Sequence, residues 1–508
     1  MFSVTNSAGL FGMNAFPVTV EAETLRGHTQ FDISGLPDAS VKEARDRVRS
    51  AVTSVNLKFP KGRVLMNLAP ADIKKSGTSF DLAIFVALMQ AMEILPARMP
   101  ERIFLGELGL NGTLHGIRGV MTMVMMAKSN GFREVYVPYE NVREAAVIDG
   151  IAVYGIRNVG ELLMHLRGEH TIQPAPVSEA VSVRRLESVL DFCDVRGQVK
   201  ARSAVELAAA GGHNILLIGA PGSGKSMLAN RIPTILPEMT RAEILETTNV
   251  YSVAGMLPAE NPLMTERPFR APHHTVSAAG LVGGGSIPAP GEISLAHNGV
   301  LFLDELPEFD RSTLEILRQP MESHEVVISR AAGTAVYPCN FMLVAAMNPC
   351  PCGYYGSTHK KCTCSQRQVQ NYLGRVSGPL LDRFDLQVDV DPVVYEDLAS
   401  PDKAESSEKI RERIQSARDM QKQRFAGTSV YSNAMIPDNL LREFCQMASD
   451  AEILLRQIHD RYGMSARTYS RIQRVARSAA DLHGHEKIER IDLAAAVQFR
   501  GFDSKYLK

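Results

Sequence analysis

The chain has 508 residues, 45% hydrophobic and 22% charged, with a formal net charge of −1. That length suits about three or four domains with ordinary cores, and the composition excludes a disordered, collagen-like or disulfide-rich chain. No apolar run reaches the length of a membrane span, so no membrane partner is expected. Near-zero net charge means that a nucleic-acid partner must be met by local basic surface. The N-terminus, Met1-Phe2-Ser3-Val4-Thr5, lacks the basic flank and apolar core of a signal peptide, and the expected location is cytoplasmic.

Residues 1–167 form a first unit. Val18-Thr19-Val20-Glu21-Ala22 and Phe31-Asp32-Ile33 suit strands. Val41, Ala44, Val48 and Val52 keep helical spacing and predict a helix over 40–52, capped by Asp38 or Ser40. Its Lys42, Arg45, Arg47 and Arg49 lie mostly off that face and read as a solvated surface. Further helices are predicted over 80–92 and 119–129, and a strand at Val135-Tyr136-Val137-Pro138. Residues 168–184 are rich in Pro, small and polar residues without a period, which marks a linker.

In residues 31–37, 75–83 and 127–138 the first unit resembles the Lon-protease-like domain of the ComM/YifB family, also called magnesium-chelatase-like. Ser79 falls about where Lon proteases carry their nucleophile. A serine nucleophile needs a base, and the stretch matching the lysine position reads Val120-Met121-Thr122-Met123-Val124. The resemblance therefore implies a non-proteolytic domain with a docking or assembly role.

Residues 185–395 carry the phosphate chemistry. Gly219-Ala220-Pro221-Gly222-Ser223-Gly224-Lys225-Ser226 follows the apolar run 214–218 and precedes a helix-compatible segment, which is the strand–loop–helix setting of a P-loop. The glycines let backbone N–H groups turn around a phosphate, and the positive end of the following helix favours the same anion. Lys225 would reach the β- and γ-phosphates of ATP, and the Ser226 hydroxyl would ligate Mg²⁺. Upstream, a helix is expected over 199–210.

Gly299-Val300-Leu301-Phe302-Leu303-Asp304-Glu305 is a Walker B pattern, four apolar residues of a buried parallel strand ending in two acids. Asp304 would bind Mg²⁺, directly or through water, and Glu305 would orient the attacking water. Residues 325–338 read as a β-hairpin with Arg330 at its turn, a candidate phosphate contact of DNA or a solvated tip. His273 and His274, beside Arg270 in a Gly- and Pro-rich insertion, read as loop polar residues ahead of nucleic-acid contacts. Residues 341–348 read as a third buried strand ending at Asn348.

Cys350 and Cys352, then nine residues, then Cys362 and Cys364 can present four thiolates to a structural Zn²⁺, with His359 as a substitute ligand. Four free thiols in a polar loop is the alternative. Residues 396–508 open with a polar connector and predict helices over 407–425, 438–449, 451–462, 468–482 and 490–499, a helical lid.

The resemblance covers nearly the whole chain. It implies an α/β architecture, an AAA+ P-loop parallel sheet with a helical lid, preceded by an α+β Lon-protease-like domain. Val195-Arg196-Gly197-Gln198 looks like the box bordering the adenine pocket, and 290–297 resembles the helix-2 insert of the magnesium-chelatase and minichromosome-maintenance clade. The resemblance casts Asn348 as sensor 1, Arg383 as the arginine finger with Arg375 a weaker candidate, and Arg467 as sensor 2, assisted by Arg471. It also implies a homo-oligomer, a hexamer, working on single-stranded or branched DNA. A metal-insertion ATPase and an ATP-switched protein remodeller remain the alternatives.

Overall fold

The protein is described as a computed structural model, covering residues 1–177, 190–258, 263–285, 288–330, 333–357, 360–393, 395–399 and 404–500. Part of the expected linker, the turn residues Ala331 and Ala332, and His359 lie outside them. Among the described residues no helix is long and apolar enough to cross a membrane.

The first unit is built on a seven-stranded mixed sheet. Its order is Gln30–Ser34, Arg63–Ala69, Asn14–Leu25, Phe2–Phe11, Arg98–Phe104, Glu134–Pro138 and Ala152–Ile156. Side chains alternate across it, as strand geometry requires. Phe104 and Tyr136 pack on one face, and Ile103, Leu105, Val135 and Val137 on the other. Helices Ala39–Ser54 and Asp81–Ala91 cover the first face, and Val120–Ser129 covers the second. Asp38, not Ser40, caps the first helix, its carboxylate accepting from Val41 N at 2.9 Å. Asp81–Ala91 is buried on every side, which is why its apolar residues show no stripe.

Arg47, expected on a solvated face, instead reaches the buried Asp81 carboxylate at 2.6 Å. Ser79 is buried, and its hydroxyl donates to the Ala8 carbonyl at 3.3 Å.

The second sheet is five-stranded and parallel, ordered Phe269–Arg270, Val300–Leu303, Met342–Met347, Ile215–Ile218 and Leu386–Asp389. Its central strands are fully buried apolar runs, as expected where helices or loops cover both faces. Helices Val199–Gly211 and Lys225–Ile235 pack on the side of Ile215 and Leu217, together with the C-terminal helices. The antiparallel hairpin Glu325–Arg330 with Gly333–Pro338 packs on the side of Leu216 and Ile218.

The C-terminal region holds helices Ser407–Arg424, Ser449–Tyr462, Ala466–His483 and Arg490–Gln498. The helix expected over 438–449 is broken. A short turn at Asp438–Leu440 and a helix at Leu441–Phe444 give way to extended chain, because Ala448 N and Gln446 O bond to the backbone of Ile488.

The two sheets' layers meet along helix Arg241–Ala254. Thr122 donates to Asn249, and the buried Glu144 carboxylate accepts from both Ser252 Oγ and Met121 N. Arg241 also pairs with Asp149 at 3.1 Å. A second meeting point is the turn after Phe2–Phe11, where Leu10, Phe11 and Met13 pack against the cluster holding Ile328, Ala335 and Tyr337.

Candidate ATP site

The carboxyl ends of three adjacent parallel strands bring the P-loop, Asp304, Glu305 and Asn348 to one sheet edge. Crevices at this edge are where ligands bind in open α/β sheets. Gly219 N donates to Met347 O at 3.2 Å, which ties the loop's start to the neighbouring strand. A Cβ on Gly219 would stand 2.4 Å from Val390 O, so only glycine fits there. Gly222 and Gly224 take the left-handed backbone at φ +76° and +91°.

Lys225 Nζ donates to Gly219 O at 2.8 Å, Ala220 O at 3.0 Å and Asn348 Oδ1 at 3.2 Å. Burial pushes its ammonium below the usual lysine value, against the pull of Asp304 and Glu305. Ser226 Oγ donates to Asp304 Oδ2 at 2.6 Å. A hydroxyl and a carboxylate so close, beside a phosphate-binding loop, form an oxygen donor set that suits a hard cation such as Mg²⁺. Glu305 follows with left-handed backbone at φ +53°, and its N–H donates to Asp304 Oδ1 at 2.9 Å. Strain of this kind in a non-glycine residue concentrates at functional sites.

Gln198 links the upstream box to this loop. Its amide donates to Ser223 O at 3.0 Å and to Asp391 O. A cavity of about 440 Å³ lies alongside, lined by Glu305, Glu308, Asn348, Pro351, Gln368, Asn371, Tyr372 and Arg375. Arg375 pairs with Glu308 at 3.0 Å in its wall. The insertion loop returns here too, with His274 Nδ1 at 3.7 Å from Glu305 Oε2. Sequence reasoning left His274 among loop residues, because neither spacing nor motif places an insertion against the Walker B acids.

Arg383 and Arg467 are not among the residues gathered at this edge. Arg383 precedes strand Leu386–Asp389, at the opposite, amino end of the sheet, where its carbonyl accepts from Asn214 at 3.2 Å. A four-residue strand spans about 13 Å, which separates it from its own P-loop. Its side chain pairs with Glu322 rather than with Asp382 or Asp385. Arg467 is exposed in the first turn of helix Ala466–His483. Arg471, one turn on, is turned to Asp385 at 3.6 Å, at the same amino edge. Arg330 sits exposed at the hairpin's end, its guanidinium donating to Ser329 O at 2.9 Å.

The four cysteines of 350–364 gather behind Asn348, with all sulfurs within 4.8 Å of one another. None is in a disulfide.

A P-loop on a buried parallel sheet, two acids after the neighbouring strand and a helical C-terminal region define an AAA+-type ATPase. Three family models match in succession. Residues 20–141 match the subunit ChlI of Mg-chelatase, 191–398 the magnesium chelatase subunit ChlI, and 404–500 its C-terminal region. The chain is 40% identical over 505 residues to the uncharacterized protein YifB of Escherichia coli, covering 99% of this chain and 97% of that one. It is 40% identical over 503 residues to the competence protein ComM of Haemophilus influenzae, covering 98% and 97%. The magnesium-chelatase 67 kDa subunit of Chlorobaculum parvum is 29% identical over 166 residues, 32% of this chain and 24% of that subunit. The chain belongs to the ComM/YifB family of magnesium-chelatase-like proteins.

Proposed function

We propose that this protein is a ring-shaped DNA motor driven by Mg²⁺-dependent ATP hydrolysis, acting on branched DNA by helicase or branch-migration activity. The observation that carries the reading is the gathering of Lys225, Ser226, Asp304, Glu305 and Asn348 at one sheet edge, with Arg383 at the other. The P-loop backbone of 219–226 cradles the phosphates, and Lys225 neutralises the β- and γ-oxygens. Ser226 and Asp304 would hold Mg²⁺, which offsets phosphate charge when bound. Glu305 orients the attacking water, and Asn348 sits beside the γ-phosphate as sensor 1. His274 and the cavity's polar wall then bound the water's approach.

Arg383 supplies charge to the neighbouring subunit's ATP, since it stands at the amino end of its own sheet, and Arg467 acts as sensor 2. A site completed by a neighbour calls for closed cyclic symmetry, and the family implies six subunits. The Haemophilus relative is named a competence protein, which supports DNA as the partner. Arg330 at the hairpin end would touch its phosphates. The first unit, 1–167, serves docking and assembly, and 396–508 serves as the lid. The four-cysteine cluster is read as a structural Zn²⁺ site.

The chelatase family models and the Chlorobaculum relative favour a second reading, a metal-insertion ATPase. ATPase activity measured with and without a synthetic four-way junction separates the two. DNA stimulation and strand displacement, both abolished in Lys225→Ala and Glu305→Gln, support the motor. Hydrolysis indifferent to branched DNA overturns it.

A further inference from the structure

The cysteine cluster does more than stabilise a loop. We infer that the Cys350–Cys352–Cys362–Cys364 site, loaded with Zn²⁺, is a clamp that sets the geometry of the ATP site, so that metal content controls nucleotide affinity. The inference rests on the zinc reading above.

Two observations support the metal itself. Sulfur separations are 3.4 Å for Cys350–Cys352, 3.7 Å for Cys350–Cys362 and 3.5 Å for Cys352–Cys362. A tetrahedron of Zn–S bonds of about 2.3 Å has edges of about 3.8 Å, so the thiols stand close to the required shape before any metal is considered. Tyr355 N also donates to Cys350 Sγ at 3.3 Å, and backbone N–H groups of Tyr354 and Thr363 point to Cys352. Backbone N–H donors to the ligand atoms are the outer contacts that orient metal ligands.

Three observations tie the cluster to the ATP site. Cys350, fully buried, lies two residues beyond Asn348, the residue that holds Lys225 Nζ. Pro351, between the first two ligands, lines the cavity shared by Glu305 and Asn348. Gly353, next after Cys352, turns at φ +84° directly onto the P-loop, where a Cβ would stand 2.3 Å from Pro221 Cδ. A metal pinning Cys350 and Cys352 therefore fixes Asn348 from one side and the P-loop from the other. Displacements of about 1 Å at such positions cost up to 10²-fold in rate.

The test uses full-length protein purified without chelator. Zinc is counted by mass spectrometry of the digested metal, and affinity for a fluorescent ADP analogue and ATPase rate are read with Mg²⁺ in excess. Expected are about one zinc per chain and a loss of affinity and rate of about tenfold or more on treatment with a zinc-selective chelator. Zinc re-addition should restore both, whereas Cys362→Ser/Cys364→Ser should stay in the low state. Gly353→Ala should keep its zinc, because all four thiols remain, and still bind the analogue more weakly, because its Cβ meets Pro221 and its backbone at φ +84° is strained. Absence of zinc from the purified protein overturns the metal reading. Zinc present but removable without change in affinity or rate overturns the clamp alone, as does Gly353→Ala with full zinc and unchanged affinity.

Discussion

The Phe11 ring lies against Gly333, so closely that a Cβ on Gly333 would stand 2.9 Å from Phe11 Cζ. One residue on, Gly12 meets Ala335 in the same way, with a Cβ-to-Cβ distance of 2.7 Å. The turn of the first unit is thus seated on the end of the hairpin that carries Arg330. Gly333 also has φ +136°, a backbone few other residues adopt. Gly333→Ala should destabilise the protein by about 1–3 kcal/mol through overpacking and strain. Denaturant titration checks it; an unchanged midpoint would remove the contact from the stability account.

A neighbour-completed site predicts complementation. Arg383→Ala should bind ATP and hydrolyse it poorly, and Lys225→Ala should fail to bind. Mixed, the two variants form rings in which an intact P-loop meets an intact Arg383. Activity should reappear on mixing, in a measurement of ATPase rate against mixing ratio. No recovery at any ratio would place Arg383 in its own subunit's ion pair with Glu322 and nowhere else.

His274 faces Glu305 from the insertion loop. Without it the carboxylate loses a neighbour that limits its rotamers. His274→Ala should lower kcat by about tenfold with KM for ATP little changed. Steady-state kinetics decide this, and a rise in KM alone would make His274 a binding residue.

The buried Asp81 carboxyl is pushed up to about 6, chiefly by desolvation, against Arg47 and the Leu108 N–H. Between 3.8 and about 6 the folded chain therefore holds a proton that the unfolded chain has released. Stability from this group is greatest at the acid end and declines as pH rises through that window. The Tm advantage of the wild type over Asp81→Asn should be larger at about pH 5 than at about pH 7.5. Equal gaps at both would show that the carboxyl stays ionised throughout.

Much of the fold was legible in the sequence because buried parallel strands read as plain apolar runs, and Ile215–Ile218, Val300–Leu303 and Met342–Met347 are such runs. Their phosphate-side ends were legible for the same reason, since register brings Asp304 and Asn348 together and the P-loop motif returns Ser226 to Asp304. Contacts made by loops far apart in the chain were not. Nothing local couples His274 to Glu305 or Phe11 to Gly333. The expected helix at 438–449 failed because Ala448 and Gln446 found a partner in Ile488, a tertiary pairing that overrode a helical pattern. Arg47 misled for a related reason: a charged residue off the apolar face still had a buried carboxylate within reach.

Helix Arg241–Ala254 follows the P-loop helix and carries Ser252 in its last turn, where it is bonded to Glu144 of the first unit. Its 14 residues make a stiff rod of about 21 Å. Both ends hold the first unit, Arg241 through Asp149 and Ser252 through Glu144, so a tilt of the helix carries that unit with it. That unit also seats Phe11 on the hairpin, so a displacement of the helix would reach the hairpin from outside as well as through the layer it packs on.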